Sequence, residues 1–168
     1  MLIFVCTNLF AEDWKIFHHK SAGYEFKYPC EATIEKTKNP NMVYVVFTKS
    51  TTPHKKILFE LRKYFYAKTF QEEADKVAEI SCMADGPDGT SYCLKEDIKL
   101  NPIEINGIKG VKVERIRTYE NYADAKKSKE KVPISYYLSI NNKFLEIMEI
   151  GKTGIDLYEI VKTIKLKN

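Results

Sequence analysis

The chain has few arginines for its size and charge. Of its 27 basic residues, three are arginines and the others are lysines. Surfaces that read nucleic acids favour arginine, because its guanidinium makes paired hydrogen bonds to phosphates and base edges. The net charge is +4, and acidic and basic residues are mixed along the chain. This composition predicts a well-solvated surface and no nucleic-acid partner. The three arginines are Arg62, Arg115 and Arg117.

The sequence also lacks the common catalytic and cofactor-binding motifs. It contains no G-x-S-x-G nucleophile turn, no P-loop and no G-x-G-x-x-G phosphate cradle. The histidines are His18, His19 and His54, and no cysteine or glutamate stands near them at the spacing of a structural zinc site. We therefore predict no catalytic residue, no cofactor and no metal ligand, and we expect a protein that is not an enzyme.

Residues 2–11 form an uncharged run, but ten residues are too few to cross a bilayer as a helix. Such a run is typical of the core of a secretory signal, with cleavage after the small residue Ala11. The alternative is a first β-strand over residues 2–6, because a basic start is missing and Leu9 is large for the third position before the cut. We predict a signal-peptide remnant at 1–11, a single domain at 12–168, and a periplasmic or secreted location.

Two of the four cysteines flank a turn-rich segment. Cys82 and Cys93 stand on either side of residues 85–89, which contain two aspartates, two glycines and a proline. Their separation is too long for a redox C-x-x-C motif, although a reactive dithiol is the alternative. In an oxidising compartment we predict a structural disulfide between Cys82 and Cys93, which would contribute about 3 kcal/mol by the chain-entropy argument.

Alternating apolar residues, together with two nearly continuous apolar runs at 42–47 and 57–61, predict several strands. The hairpin signals between them are Asn106-Gly107 and Asn141-Asn142, since asparagine and glycine accept the positive φ of a tight turn. Residues 120–131 are polar and rich in lysine, which predicts an exposed, mobile loop. The predicted strands cover 24–28, 32–36, 42–47, 57–61, 91–99, 111–119, 134–140 and 144–150.

Two helices are predicted. The first covers residues 70–81 and begins with capping-box spacing at Thr69 and Glu72. The second closes the chain and is capped by Thr153. It carries an apolar stripe of helical spacing at Leu157, Ile160, Val161 and Ile164. The predicted fold class is therefore α+β, a mainly antiparallel sheet flanked by helices in an α/β/α sandwich.

The order of these features resembles the PsbP-like family. The family includes the extrinsic photosystem II protein, a Ran-binding nuclear-import factor and small exported bacterial proteins. The resemblance is carried by residues 23–29 (GYEFKYP), the helix capped at Thr69, the hairpin at 105–107, and the final hairpin and helix. It implies an antiparallel sheet between helical layers and a non-catalytic binding or accessory role. No functional residue of the family can be transferred to a numbered position here.

The sequence therefore predicts a monomeric, non-catalytic exported module that binds a protein or a small molecule. One alternative is an enzyme, such as a hydrolase, with a site assembled from distant residues. Another is a protein held at the membrane surface by its lysine-rich segment 126–131, so that any membrane contact is peripheral.

Overall fold

A computed structural model describes residues 14–47, 55–64, 69–70, 72–73, 76, 89–151 and 153–167. These residues form two antiparallel sheets and a short closing helix, and four more helical residues lie between positions 70 and 76. The strands are β1 (Trp14–His19), β2 (Tyr24–Pro29), β3 (Ala32–Lys36), β4 (Met42–Phe47), β5 (Lys56–Arg62), β6 (Ser91–Ile105), β7 (Ile108–Asn121), β8 (Lys127–Ile140), β9 (Lys143–Ile150) and β10 (Lys165–Leu166), and the helix is α1 (Leu157–Val161).

The larger sheet has seven strands in the order β3-β4-β5-β9-β8-β7-β6. Every neighbouring pair of strands is antiparallel, as predicted for this sheet. The central strands β5, β8 and β9 contain apolar residues that point to both faces, and most of them are buried. Continuous apolar runs are expected of strands that are covered on both sides.

The two predicted asparagine turns are present, and their side chains hold the two layers together. Asn106, Gly107, Asn141 and Asn142 all have positive φ, between 48° and 79°. The Asn106 amide nitrogen donates to the carbonyl oxygens of Lys162 and Ile164, at 3.0 and 2.8 Å. These carbonyls follow α1, where backbone acceptors have no partner within the helix.

One face of the large sheet is covered by a second sheet of three strands, in the order β1-β2-β10, together with α1. The two sheets meet where the ring of Phe26 in β2 stacks on the ring of Phe59 in β5, with centroids 4.0 Å apart. Ile160 and Ile164 are fully buried in the same apolar cluster. This layer of strands supplies the cover that the sequence assigned to helices.

The predicted α/β/α sandwich is therefore wrong, although its mainly antiparallel sheet is correct. About two thirds of the described residues lie in strands, and only nine are helical. Helical layers flanking the sheet are absent from the described part of the chain. Phe70, Glu72, Glu73 and Lys76 are helical as predicted, and the rest of 70–81 lies outside the described residues.

The closing helix is shorter than predicted and has a different cap. It spans Leu157–Val161, and its N-cap is Asp156, whose carboxylate accepts a hydrogen bond from the backbone of Tyr158. Gly154, at φ +82°, separates Thr153 from the helix. Beyond the helix the chain turns into β10, which pairs with β2. The apolar stripe is buried as expected, but only part of it is helical.

The predicted loop at 120–131 is also largely wrong. β7 continues to Asn121 and β8 begins at Lys127, so only a short turn joins them. Lys127, Lys129 and Lys131 pair across the ladder with residues of β7. Alternating lysines on an exposed strand resemble a solvated loop in sequence, because the residues at 127–131 are all exposed and none is apolar.

Several predictions fall on residues outside the described part of the chain. These are the leader at 1–11, His54 and Cys82, so the predicted bridge from Cys82 to Cys93 stays a prediction. Cys93 itself is half-buried in β6, opposite Tyr119 of β7.

We predict that Gly110→Ala destabilises the protein by about 1–3 kcal/mol, since a methyl group has no room there. A Cβ at Gly110 would lie 2.4 Å from Cδ2 of Leu138 and 2.7 Å from the carbonyl oxygen of Tyr137. Urea unfolding followed by circular dichroism measures the change. Lys109→Ala is the matched control, because the neighbouring lysine is exposed. Equal stabilities of the two variants would contradict the prediction.

Candidate functional site

The three arginines of the chain lie on the face of the large sheet opposite the second sheet. Arg62 ends β5, and Arg115 and Arg117 stand two residues apart in β7. Successive side chains of a strand point to opposite faces, so Arg115 and Arg117 share a side with Val113. Val113 belongs to an apolar cluster with Phe70 and Phe144, separate from the core beneath the second sheet.

Arg115 is buried, with 5% of its surface exposed. Its two terminal nitrogens donate to the hydroxyl oxygens of Ser135, at 2.8 Å, and Tyr137, at 3.1 Å. Its Nε has no hydrogen-bond partner. No ion pair among the described residues includes Arg115. Neutral hydroxyl groups therefore hold a buried positive charge in place.

Glu146 is equally buried, and it links Arg115 to a second arginine. The Tyr137 hydroxyl donates to Oε1 of Glu146 at 3.3 Å. Arg62 lies 2.9 Å from Oε2 of Glu146 and 2.6 Å from Glu60. Glu60 and Glu146 stand directly opposite each other on β5 and β9, so the Arg62 guanidinium separates two like charges that would otherwise repel.

Burial governs the electrostatics of this cluster. It raises the pKa of the Glu146 carboxyl above its ordinary value, and the charge of Arg62 only partly opposes the shift. Burial also raises the pKa of the Tyr137 phenol, so its hydroxyl keeps its proton at neutral pH. A protonated phenol can accept from Arg115 while donating to Glu146, so Tyr137 joins the two buried charged groups.

An open cleft of about 180 Å³ lies beside Arg115. Its apolar wall is formed by Val132, Pro133 and Met148. The other charged groups have partners: Arg117 binds Glu96 through its Nε at 2.9 Å, and Glu149 accepts from the hydroxyl of Thr153 at 2.6 Å. The described lining residues are Arg115, Arg117, Val132, Pro133, Tyr137, Glu146, Met148 and Glu149.

A second, larger cleft of about 420 Å³ contains His18 and His19. Nδ1 of His19 lies 3.3 Å from the hydroxyl of Ser21, two residues away in the same turn. His18 instead contacts Glu25 at 2.8 Å, on the neighbouring strand. Burial lowers the pKa of His19, which favours its neutral form. The carboxylate is bound to His18 and the serine to His19, so the described residues form no nucleophile–base–carboxylate relay here.

The exposed lysines of β8 share one face of the sheet. Lys127, Lys129 and Lys131 lie opposite Glu120, Thr118 and Ile116 of β7. Ile116 is 43% exposed, which places an apolar side chain beside Lys131. Among the described residues, no helix combines the length and apolar character needed to cross a membrane.

The sequence predicted no site residues and did not find the arginine cluster. The described residues also contain no group of three or more metal-ligating side chains. The available signal was the rarity of arginine, because all three arginines lie on one face of the sheet. Their convergence depends on the register of the strands, which could not be predicted from the sequence.

The comparisons with known proteins identify the fold. No protein-family model and no curated protein matches the sequence. Cyanobacterial PsbP (CyanoP) from Synechocystis matches the structure with a TM-score of 0.56 at 11% identity, over 96% of this chain and 97% of that one. A mutant of the protein Mog1 matches with a TM-score of 0.51 at 8% identity, over 93% and 97%. The Ran-binding protein Mog1p from Saccharomyces cerevisiae gives 0.48 at 8% identity, over 93% and 96%.

The chain has the PsbP-like fold. The resemblance inferred from the sequence is thus confirmed at the level of fold. The matches to CyanoP and to the Mog1 mutant extend along nearly the whole chain. The shared fold therefore includes the strands that carry Arg62, Arg115 and Glu146. Identities of 8% and 11% transfer no residue roles, so the arginine cluster is judged on its own geometry.

We predict that Glu146→Gln gains stability relative to the wild type as the pH rises above 4.5, the ordinary pKa of a glutamate. The folded-state pKa is raised, so the contribution of Glu146 to stability is complete below the unfolded pKa and is lost as the pH rises through the folded one. Urea unfolding at a series of pH values measures the difference between the two proteins.

Glu114→Gln is the control of opposite sign. The hydrogen bond from Lys112 lowers the pKa of Glu114, so its contribution is present above the unfolded pKa and is lost as the pH falls through the folded one. The free energy of unfolding of the wild type should therefore increase relative to that of Glu114→Gln as the pH rises. The same trend for both variants would contradict the assignment of a raised pKa to Glu146.

Proposed function

We propose that this protein is a non-catalytic exported module that binds a ligand at the cleft beside Arg115. The observation that carries the proposal is the state of the hydroxyl groups there. Ser135 and Tyr137 both accept hydrogen bonds from a guanidinium. A hydroxyl nucleophile needs a base that accepts its proton, and no hydrogen bond among the described residues joins Ser135 to a base. Such an arrangement suits the recognition of a group, not its activation.

The PsbP-like fold supports a binding or accessory role but does not identify a ligand. Export is supported by the uncharged run at 2–11, which ends at the small residue Ala11. In an oxidising compartment a bridge between Cys82 and Cys93 would follow. The single domain beginning at residue 12 and the predicted monomer belong to the same proposal.

The proposal is tested by expressing the full chain in a bacterium and analysing the periplasmic fraction. We expect a mature protein that begins at Glu12 and a non-reduced digest in which one peptide links Cys82 to Cys93. The purified protein should show no turnover of ester or phosphate substrates, and a ligand screen should raise its melting temperature. Turnover that disappears in Ser21→Ala would instead favour the hydrolase. A cytoplasmic product that retains residues 1–11 would refute export.

A second candidate function is attachment to an anionic membrane surface. The observation that favours it is the alignment of Lys127, Lys129 and Lys131 on one exposed strand face. Each lysine near such a surface contributes about 1 kcal/mol. No ion pair among the described residues includes Lys129 or Lys131, so both charges are available to headgroups.

Liposome sedimentation tests this candidate. If the lysine face binds membranes, Lys129→Gln combined with Lys131→Gln should reduce sedimentation with vesicles rich in phosphatidylserine. The charge-matched control is Lys36→Gln combined with Lys38→Gln, since those lysines are also exposed. Equal sedimentation with neutral and anionic vesicles would eliminate the candidate.

A further inference from the structure

Arg115 is a buried cation that forms no direct ion pair among the described residues, because the Tyr137 hydroxyl stands between it and the Glu146 carboxylate. The ion pairs on its face of the sheet join Arg62 to Glu60 and Glu146, and Arg117 to Glu96. A buried charge without a directly paired counter-charge is costly, because the hydration it loses on folding is only partly replaced. Two hydroxyl groups reduce that cost, but they do not neutralise the charge.

The hydrogen-bonding capacity of Arg115 is also not exhausted. A guanidinium has five N–H donors. The structure shows two hydrogen bonds, to Ser135 and Tyr137, and the Nε has none. The planar fork of arginine matches a carboxylate, which can accept two parallel hydrogen bonds from it. An anionic group at the cleft would supply a directly paired counter-charge and additional acceptors.

The walls of the cleft restrict what accompanies that anionic group. Val132, Pro133 and Met148 form an apolar surface on one side. Val132 lies directly opposite Arg115 in the β7–β8 ladder, so an apolar group and a charged group stand side by side. The volume of about 180 Å³ suits a small molecule, since a water molecule takes about 30 Å³ in the liquid.

We propose that this cleft binds a carboxylate that carries a short apolar tail, with the carboxylate on Arg115 and the tail against Val132, Pro133 and Met148. The proposal rests on the proposed function and names the ligand class of that same site. Two sources provide this chemistry: a free small acid, and the C-terminal carboxylate of a peptide that ends in an aliphatic residue.

The rarity of arginine makes a direct test possible. The protein has three arginines, so an NMR spectrum of Nε–Hε groups contains at most three side-chain signals, which Arg→Lys variants assign. Titration with butyrate should shift the Arg115 signal, with a Kd in the millimolar range. Butyramide has the same shape without the charge and should leave the signal unchanged. Arg62 does not line the cleft, so its signal is the internal control.

A matched pair of variants tests the site without removing the buried arginine. Val132→Asp places a carboxylate beside Arg115 within the protein and should weaken butyrate binding at least about tenfold, by occupying the guanidinium. Val132→Asn has nearly the same size without the charge and should bind butyrate within about twofold of the wild type. Because Val132 is only half-buried, both variants are expected to fold.

Two peptides distinguish the sources of the carboxylate. An acetylated tripeptide that ends in valine with a free carboxylate is compared with its amide. Tighter binding of the free peptide than of butyrate assigns the cleft to peptide C-termini, and the reverse assigns it to small acids. An Arg115 signal that moves with neither acid, or equal binding by Val132→Asp and Val132→Asn, would overturn the proposal. Export and a response to other ligands would still support the proposed function in that case.

Discussion

Burial of both faces of the central strands is the constraint on which the rest of the structure depends. β5, β9 and β8 carry apolar side chains to both sides, so each face requires its own cover. On one face the cover is the small sheet, where Phe26 stacks on Phe59. The turn residues Asn106 and Asn141 then donate hydrogen bonds across to that layer. A slip of one residue in register would turn every core side chain to the wrong face, so the layer fixes the register of the sheet.

The opposite face is divided into an apolar part and a polar part, and the division follows from that register. Val111, Val113 and Phe144 form the apolar part. Further along the same strands, Arg115 and Glu146 are buried although both are charged. Burying charged groups does not in general stabilise a protein. Apolar residues of similar size at the same positions often give equal or greater stability. The presence of a polar network in a sheet that packs apolar residues elsewhere is therefore not explained by stability alone.

The sequence predicted the parts of the fold in which local pattern and tertiary structure agree. Alternation located β2 and the second half of β8, and asparagine located both tight turns, because these signals act within a few residues. Prediction from the sequence failed for charged stretches of strand, such as the start of β8 at Lys127, where neither face of the strand is apolar. It also failed at the C-terminus, where pairing of β10 with β2 ends a helix whose apolar spacing continues to Ile164. The contacts that decide these outcomes lie far apart in sequence.

The arginine cluster shows the same limit in its strongest form. Between Val113 and Arg115 of β7 the pairing with β8 shifts, because Pro133 and Ile134 together face the single residue Glu114. Proline is tolerated inside a sheet at such a bulge, since it has no N–H to contribute to the ladder. The bulge brings Val132 opposite Arg115, and together with Pro133 these residues line the cleft. The cleft thus exists because one extra residue changes the register at a single point, and a bulge of that kind cannot be located from the spacing of residues in the sequence.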